Sequence, residues 1–357
     1  MKTANEFTAG RRFAPSLRLR GDRSLSAQAD IRPQAIKRRI YSLAIFFGLC
    51  SALLCLAAPA PALDREAAYR SALSLYRDDS RQPLAVKVQS TTPFGGGRLM
   101  RFSYASTHSL RVPALLFIPP GASKAHPAPC LIALHGLGGN KELMAYFAQY
   151  ALRLGYATLA IDEYGQGERP RAEAPGGPDV AALAAGIRQT VVDVRRGLDY
   201  LDARPDINRS RIGLVGVSLG AMIGTVSAGV DSRIKAAVLI SGGGDWGLIL
   251  QSLADRDAFI GGRRMGDLRG TNWDLVRAVL APEDPLTFAP HIAPRALLME
   301  CSGRDMVIIP AAARLLYDAA RRPANAHVQI DWFPDAGHVP PPELTYPKIR
   351  QWLAKNL

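Results

Sequence analysis

The chain has 357 residues, 48% of them hydrophobic and 21% charged, a balance that supports a large buried core in one large domain or two small ones. Its net charge of +13 is unevenly spread: residues 1–62 hold ten Lys/Arg against three Asp/Glu, and the rest carry +6 with no block of like charge. That dilution argues against the concentrated basic face that nucleic acids require.

Residues 1–36 are Arg-rich and polar, without apolar periodicity, and read as a disordered extension. From Lys37-Arg38-Arg39 the chain runs into an apolar stretch, Ile40 to Ala58, and reaches Ala60-Pro61-Ala62. This is the layout of an export signal with an A-x-A cleavage site. Cleavage after Ala62 is expected, leaving a periplasmic or extracellular chain from Leu63. The alternative is an uncleaved anchor through residues 40–58, a run nearly long enough to span a bilayer. Cys50 and Cys55 fall in the signal, and Cys130 and Cys301 fall in two separate buried strands, so free thiols are expected.

After residue 84 the pattern turns to strands and then to alternating strands and helices. Residues 99–107 and 112–119 are short strand-like runs, expected to pair antiparallel. "PCLIALHG" (129–136) and "YATLAID" (156–162) are continuous apolar runs, the mark of strands buried on both faces. Between them, residues 141–155 have helical spacing and stop at Gly155; a longer helix follows, with Val191, Val194, Leu198 and Leu201 on one face. Strand–helix alternation continues to a C-terminal helix, which predicts a mostly parallel sheet covered on both faces. One connection is far too long: residues 245–293 separate two strands and read as a small helical cap.

Within this frame "RIGLVGVSLGAMIG" places Ser218 between Gly216 and Gly220, after a buried strand and before a helix. That is the setting of a nucleophile elbow, where side chains at 216 and 220 would strike neighbouring backbone. A serine hydroxyl is a weak nucleophile and needs a base and a group to orient that base. Of the six histidines, His338 in "FPDAGHVPP" follows a late strand in a Gly/Pro-rich turn; Asp305 in "CSGRDMVIIP" leaves an earlier strand. Asp245, after "LISGGG", is the alternative acid. The oxyanion donors are expected to be the N–H groups of Leu219, next to the serine, and Leu137 in "HGLGGN", flanked by Gly136 and Gly138. His135 is expected to brace that loop. Trp246, Leu248, Leu250 and Phe259 are the cap residues expected to line the acyl or alcohol pocket.

At "HGLGGNKE", "IDEYGQGERP", "GVSLG", "DPLTFAPHIAPRALLMECSGRD", "VIIP" and "DAGH" the chain resembles the α/β-hydrolase superfamily, and within it the dienelactone hydrolase and acetyl-xylan-esterase-like branch. The resemblance covers roughly residues 110–357. It implies an α/β-hydrolase fold with the cap between the sixth and seventh strands, and places Ser218, Asp305 and His338 after the fifth, seventh and eighth. Leu219 and Ala221 depart from the pattern of prolyl-oligopeptidase-like relatives. The reading is therefore an exported serine esterase acting on a small-molecule carboxylic ester, with no metal and no cofactor. A peptidase or amidase on the same residues and a catalytically silent binding protein are the competing readings.

Overall fold

The computed structural model describes residues 64–77, 81–169, 180–260 and 263–357. The extension at 1–36 and the signal or anchor at 37–62 lie outside the described residues.

The strands are β1 (Lys87–Phe94), β2 (Gly97–Ala105), β3 (Arg111–Ile118), β4 (Ala128–Leu134), β5 (Ala157–Ile161), β6 (Ile207–Val217), β7 (Ala236–Ile240), β8 (Phe259–Ile260), β9 (Arg263–Arg264), β10 (Ala296–Ser302) and β11 (His327–Phe333). All but the β8–β9 hairpin form one sheet in the order β1-β2-β3-β5-β4-β6-β7-β10-β11. The first three strands and the β3–β5 pair are antiparallel; from β5 to β11 every pairing is parallel. Because β1 is added at the edge, the superfamily's fifth to eighth strands are β6, β7, β10 and β11 here.

The parallel strands read as unbroken apolar runs because helices cover both faces. On one side pack α1 (Arg65–Ala72), α3 (Val180–Asp202), α4 (Leu219–Val230) and α8 (Pro310–Ala320), meeting Ile132, Leu214, Leu239 and Met299 of the sheet. On the other lie α2 (Ala145–Arg153) and α9 (Pro342–Asn356), whose Phe147, Ala151, Ile349 and Trp352 meet Leu131, Val215, Val238 and Leu298. Each strand thus sends alternate side chains into two separate cores. Truncating a fully buried leucine such as Leu214 costs about 2–5 kcal/mol.

Parallel pairing sets the carboxyl ends of β4, β5, β6, β7, β10 and β11 along one edge, where ligands bind in open α/β sheets. Cys130 on β4 and Cys301 on β10 are separated by β6 and β7 and are free, buried thiols. Burial pushes both thiols up to about 12, which leaves them unreactive.

The long segment between β7 and β10 is mainly helical, with α5 (Trp246–Asp255), α6 (Trp273–Leu280) and the single turn α7 (Pro285–Phe288) around the hairpin. The four residues expected to line its pocket differ in exposure. Trp246 and Leu250 are buried in the core, and the Trp246 indole N–H donates to the Glu283 carbonyl at 3.3 Å. Leu248 is half-buried and shares a cavity of about 350 Å³ with Gln251, Ser252, Asp255, Arg256 and Ile309. Phe259 stands 69% exposed on the hairpin.

Candidate active site

Ser218 sits at the turn between β6 and α4 with φ +55° and ψ −117°, in backbone space that L residues rarely occupy. The turn persists because its surroundings admit no alternative. A Cβ at Gly216 would lie 2.3 Å from the Gly220 carbonyl oxygen, and one at Gly220 would lie 2.4 Å from the His135 oxygen. The Ser218 N–H donates to the Ile240 carbonyl at 2.8 Å, and its own carbonyl accepts from Ala221 and Met222. The hydroxyl caps nothing in the helix it precedes.

That hydroxyl meets His338 instead. The Ser218 Oγ and His338 Nε2 are 2.8 Å apart, and His338 Nδ1 is 2.9 Å from each oxygen of Asp305. A carboxylate only accepts, so Nδ1 carries the ring proton and Nε2 is left to accept from the serine. Asp305 is buried, and its Oδ1 also accepts from the N–H groups of Val307 and Ile308 at 2.8 and 2.9 Å. Three residues far apart in sequence therefore share one hydrogen-bonded line. The His338 loop is tied down by Ser241, a second residue with positive φ, whose hydroxyl donates to the His338 carbonyl. Ser241 was missed in the sequence; "LISGGG" marks a tight turn without saying what its hydroxyl holds.

Asp245 is not part of this line. It caps α5, accepting from the Leu248 N–H at 3.0 Å, and pairs with Arg277 at 3.0 Å. Its carboxylate is committed to a helix start and a guanidinium, which disposes of it as the alternative acid.

The loop after β4 runs beside the serine: a Cβ on Gly136 would lie 3.4 Å from the Ser218 Cβ. His135 is nearly fully buried there; its Nδ1–H donates to the Gly136 carbonyl at 2.9 Å and its Nε2 accepts from the Glu163 N–H at 3.3 Å. Burial pushes its imidazole below the usual value, so it remains a neutral brace. Lys141, 1% exposed, is held by Asp162 at 2.8 Å and Glu168 at 2.6 Å, which locks the loops after β4 and β5 together. Breaking such a buried pair costs about 3–5 kcal/mol. Lys141 was another omission of the sequence reading, since a lysine in a loop gives no sign of burial.

The N–H groups of Leu137 and Leu219 have no protein acceptor among the described residues. Leu137 lies in the loop beside Ser218, and Leu219 opens α4 directly after it. Among the described residues no group of three or more His, Cys, Asp or Glu is arranged to hold a metal ion.

Residues 112–339 match the dienelactone hydrolase family. The chain is 26% identical over 182 residues to rat (Rattus norvegicus) acyl-coenzyme A thioesterase 1, a match covering 47% of this chain and 39% of that protein. It is 30% identical over 138 residues to YtaP of Bacillus subtilis (strain 168), covering 34% of this chain and 46% of that protein. The chain thus spans less than half the length of these curated relatives. Among solved structures, an acetyl xylan esterase from Paenibacillus sp. R4 superposes with a TM-score of 0.68 at 23% identity, over 83% of this chain and 95% of that one, which shows a shared fold. With the match extending over well more than half of its length, the chain belongs to the dienelactone hydrolase family and has the α/β-hydrolase fold.

Proposed function

We propose that this protein is an exported serine esterase that cleaves a small carboxylic ester through an acyl-enzyme. Ser218 Oγ attacks the acyl carbon while His338 Nε2 takes its proton. Asp305 holds the imidazole in the productive tautomer and steadies its positive form. The Leu219 and Leu137 N–H groups receive the oxyanion of the tetrahedral intermediate. His338 then returns the proton to the leaving alkoxide, and in the second half activates the water that releases the acid. The segment 245–293 serves as the cap over the alcohol or acyl side, with Leu248 and Phe259 as its remaining contributors.

The observation that supports this most is the Ser218–His338–Asp305 line, at 2.8 and 2.9 Å, on a serine held at positive φ. Membership in an ester-cleaving family weighs against the peptidase reading, and export rests on residues 37–62 alone. The test is hydrolysis of p-nitrophenyl esters from acetate to long acyl chains, with acyl thioesters alongside, by the chain from Leu63. Activity absent from Ser218→Ala supports the esterase, and the preferred chain length measures the pocket. A folded protein inert to every ester and thioester would sink the reading.

A further inference from the structure

The loop after β4 carries three consecutive N–H groups beside Ser218, those of Leu137, Gly138 and Gly139. Gly139 donates to the Gly136 carbonyl at 3.0 Å. Gly138 donates to Oε1 of Gln166, a half-buried residue of the loop after β5. Only Leu137 of the three is left without a protein acceptor among the described residues. What holds Gly138 therefore decides which N–H the loop offers.

Gln166 is itself oriented. Its Nε2 donates to Glu163 Oε2 at 2.9 Å. A side-chain amide has one accepting end and one donating end, so a carboxyl oxygen at Nε2 directs Oε1 to the Gly138 N–H. Glu163 is fully buried, and its other oxygen has no hydrogen-bond partner. The ring nitrogen of His135 at 4.0 Å is no counter-ion, because its N–H is taken by the Gly136 carbonyl and the imidazole is neutral. An uncompensated carboxylate in that place would be strongly penalised, so Glu163 stands as the neutral acid. Burial raises its pKa well above the ordinary carboxylate range against the opposing Gln166 hydrogen bond, with the adjacent Asp162 carboxylate adding to the rise. No step of the proposed chemistry uses Glu163, yet it is a buried acid at the end of the strand beside the site.

We propose that Glu163, acting through the Gln166 amide, is a positioning residue that engages the Gly138 N–H and leaves that of Leu137 for the oxyanion. This rests on the reading of Ser218 as the nucleophile.

Four variants of the chain from Leu63 test it, with Ser218→Ala as reference. Kinetics on a p-nitrophenyl ester are compared with the affinity of an alkyl trifluoromethyl ketone, whose serine adduct carries an oxyanion. Gln166→Leu, at a half-buried position, is expected to lower kcat about 10–100-fold with KM within about threefold, somewhat less than outright removal of one oxyanion donor. Ketone affinity should fall with kcat/KM. Gln166→Glu, whose carboxylate can accept both from the Gly138 N–H and from the O–H of neutral Glu163, should lose less kcat than Gln166→Leu. Glu163→Leu should lose kcat in the same way, and Glu163→Gln, the isostere of the neutral acid, should restore most of it. Unchanged kcat and ketone affinity in Gln166→Leu would overturn the positioning role. So would a fall in kcat that merely tracks a lowered melting temperature. Activity that survives Ser218→Ala would overturn the nucleophile reading and this role with it; activity lost in Ser218→Ala but indifferent to Gln166 would overturn this role alone.

Discussion

Two neighbouring helix starts in this molecule look alike and differ in one respect. Ser218 precedes α4 with φ +55°, and Asp245 precedes α5 with φ +66°; both leave the carboxyl edge of adjacent strands. Asp245 uses its side chain locally, on the Leu248 N–H and on Arg277. Ser218 does not: it leaves its helix uncapped and gives its hydroxyl to His338. A strained residue whose side chain is spent on its own turn serves structure. One whose side chain is withheld from its turn points to chemistry.

The largest effects should fall on the Ser218 side of this comparison. Ser218→Ala and His338→Ala should each lower kcat by about 10⁴–10⁶-fold with the melting temperature nearly unchanged, measured by ester hydrolysis beside circular dichroism. Asp305→Asn should cost about 10⁴-fold by misdirecting the imidazole tautomer. Asp245→Asn, in the same assay, should stay within a few-fold of the unaltered protein; equal losses at 245 and 305 would erase the distinction between the two turns.

Packing at the elbow gives the next effect. Gly220→Ala places a Cβ 2.4 Å from the His135 carbonyl oxygen and should destabilise by about 3 kcal/mol or more, read from urea unfolding. Asp245→Ala, which removes a helix cap, should cost only about 1 kcal/mol. The reverse ranking would mean that the elbow relaxes where its backbone contacts say it cannot.

The smallest effect is a pH dependence away from the site. Glu300 on β10 lies between Ile240 and Asp331, fully buried, with both carboxyl oxygens unpartnered. Burial, with Asp331 adding to it, raises it from 4.5 to about 8. It stays neutral in the fold up to that pH, whereas in the unfolded chain it ionises above about 4.5. A raised carboxyl therefore withdraws stability as pH climbs between those values. Glu300→Gln cannot ionise, so its advantage over the parent should grow from pH 4.5 to 8 and then level off, reaching roughly 1–4 kcal/mol. A stability difference flat across that range would show that the Glu300 carboxyl is hydrated in the fold.

Much of this was legible in the chain because the responsible signals are short-range. Apolar runs flanked by helical spacing give a buried parallel sheet, and glycines at 216 and 220 are demanded by contacts that begin within four residues of each other. Ser218, Asp305 and His338 were findable because each closes a strand, and strand ends gather at one edge. The extent to which Trp246 and Leu250 are buried was not legible: an amphipathic helix shows that it has an apolar face, not how deeply that face is covered. Nor could sequence show that Lys141, Asp162, Glu163 and Gln166 join two loops, since polar residues in loops are normally solvated. Their burial follows from how two strand ends lie against each other.

The central claim is that Ser218 is the nucleophile and that His338 activates it. The most direct measurement is the intact and peptide mass of the protein after reaction with a fluorophosphonate. One equivalent of adduct on the peptide carrying Ser218, formed by the parent chain and not by His338→Ala, is the predicted result. No adduct on a folded protein, an adduct on another residue, or equal labelling without His338 would contradict it.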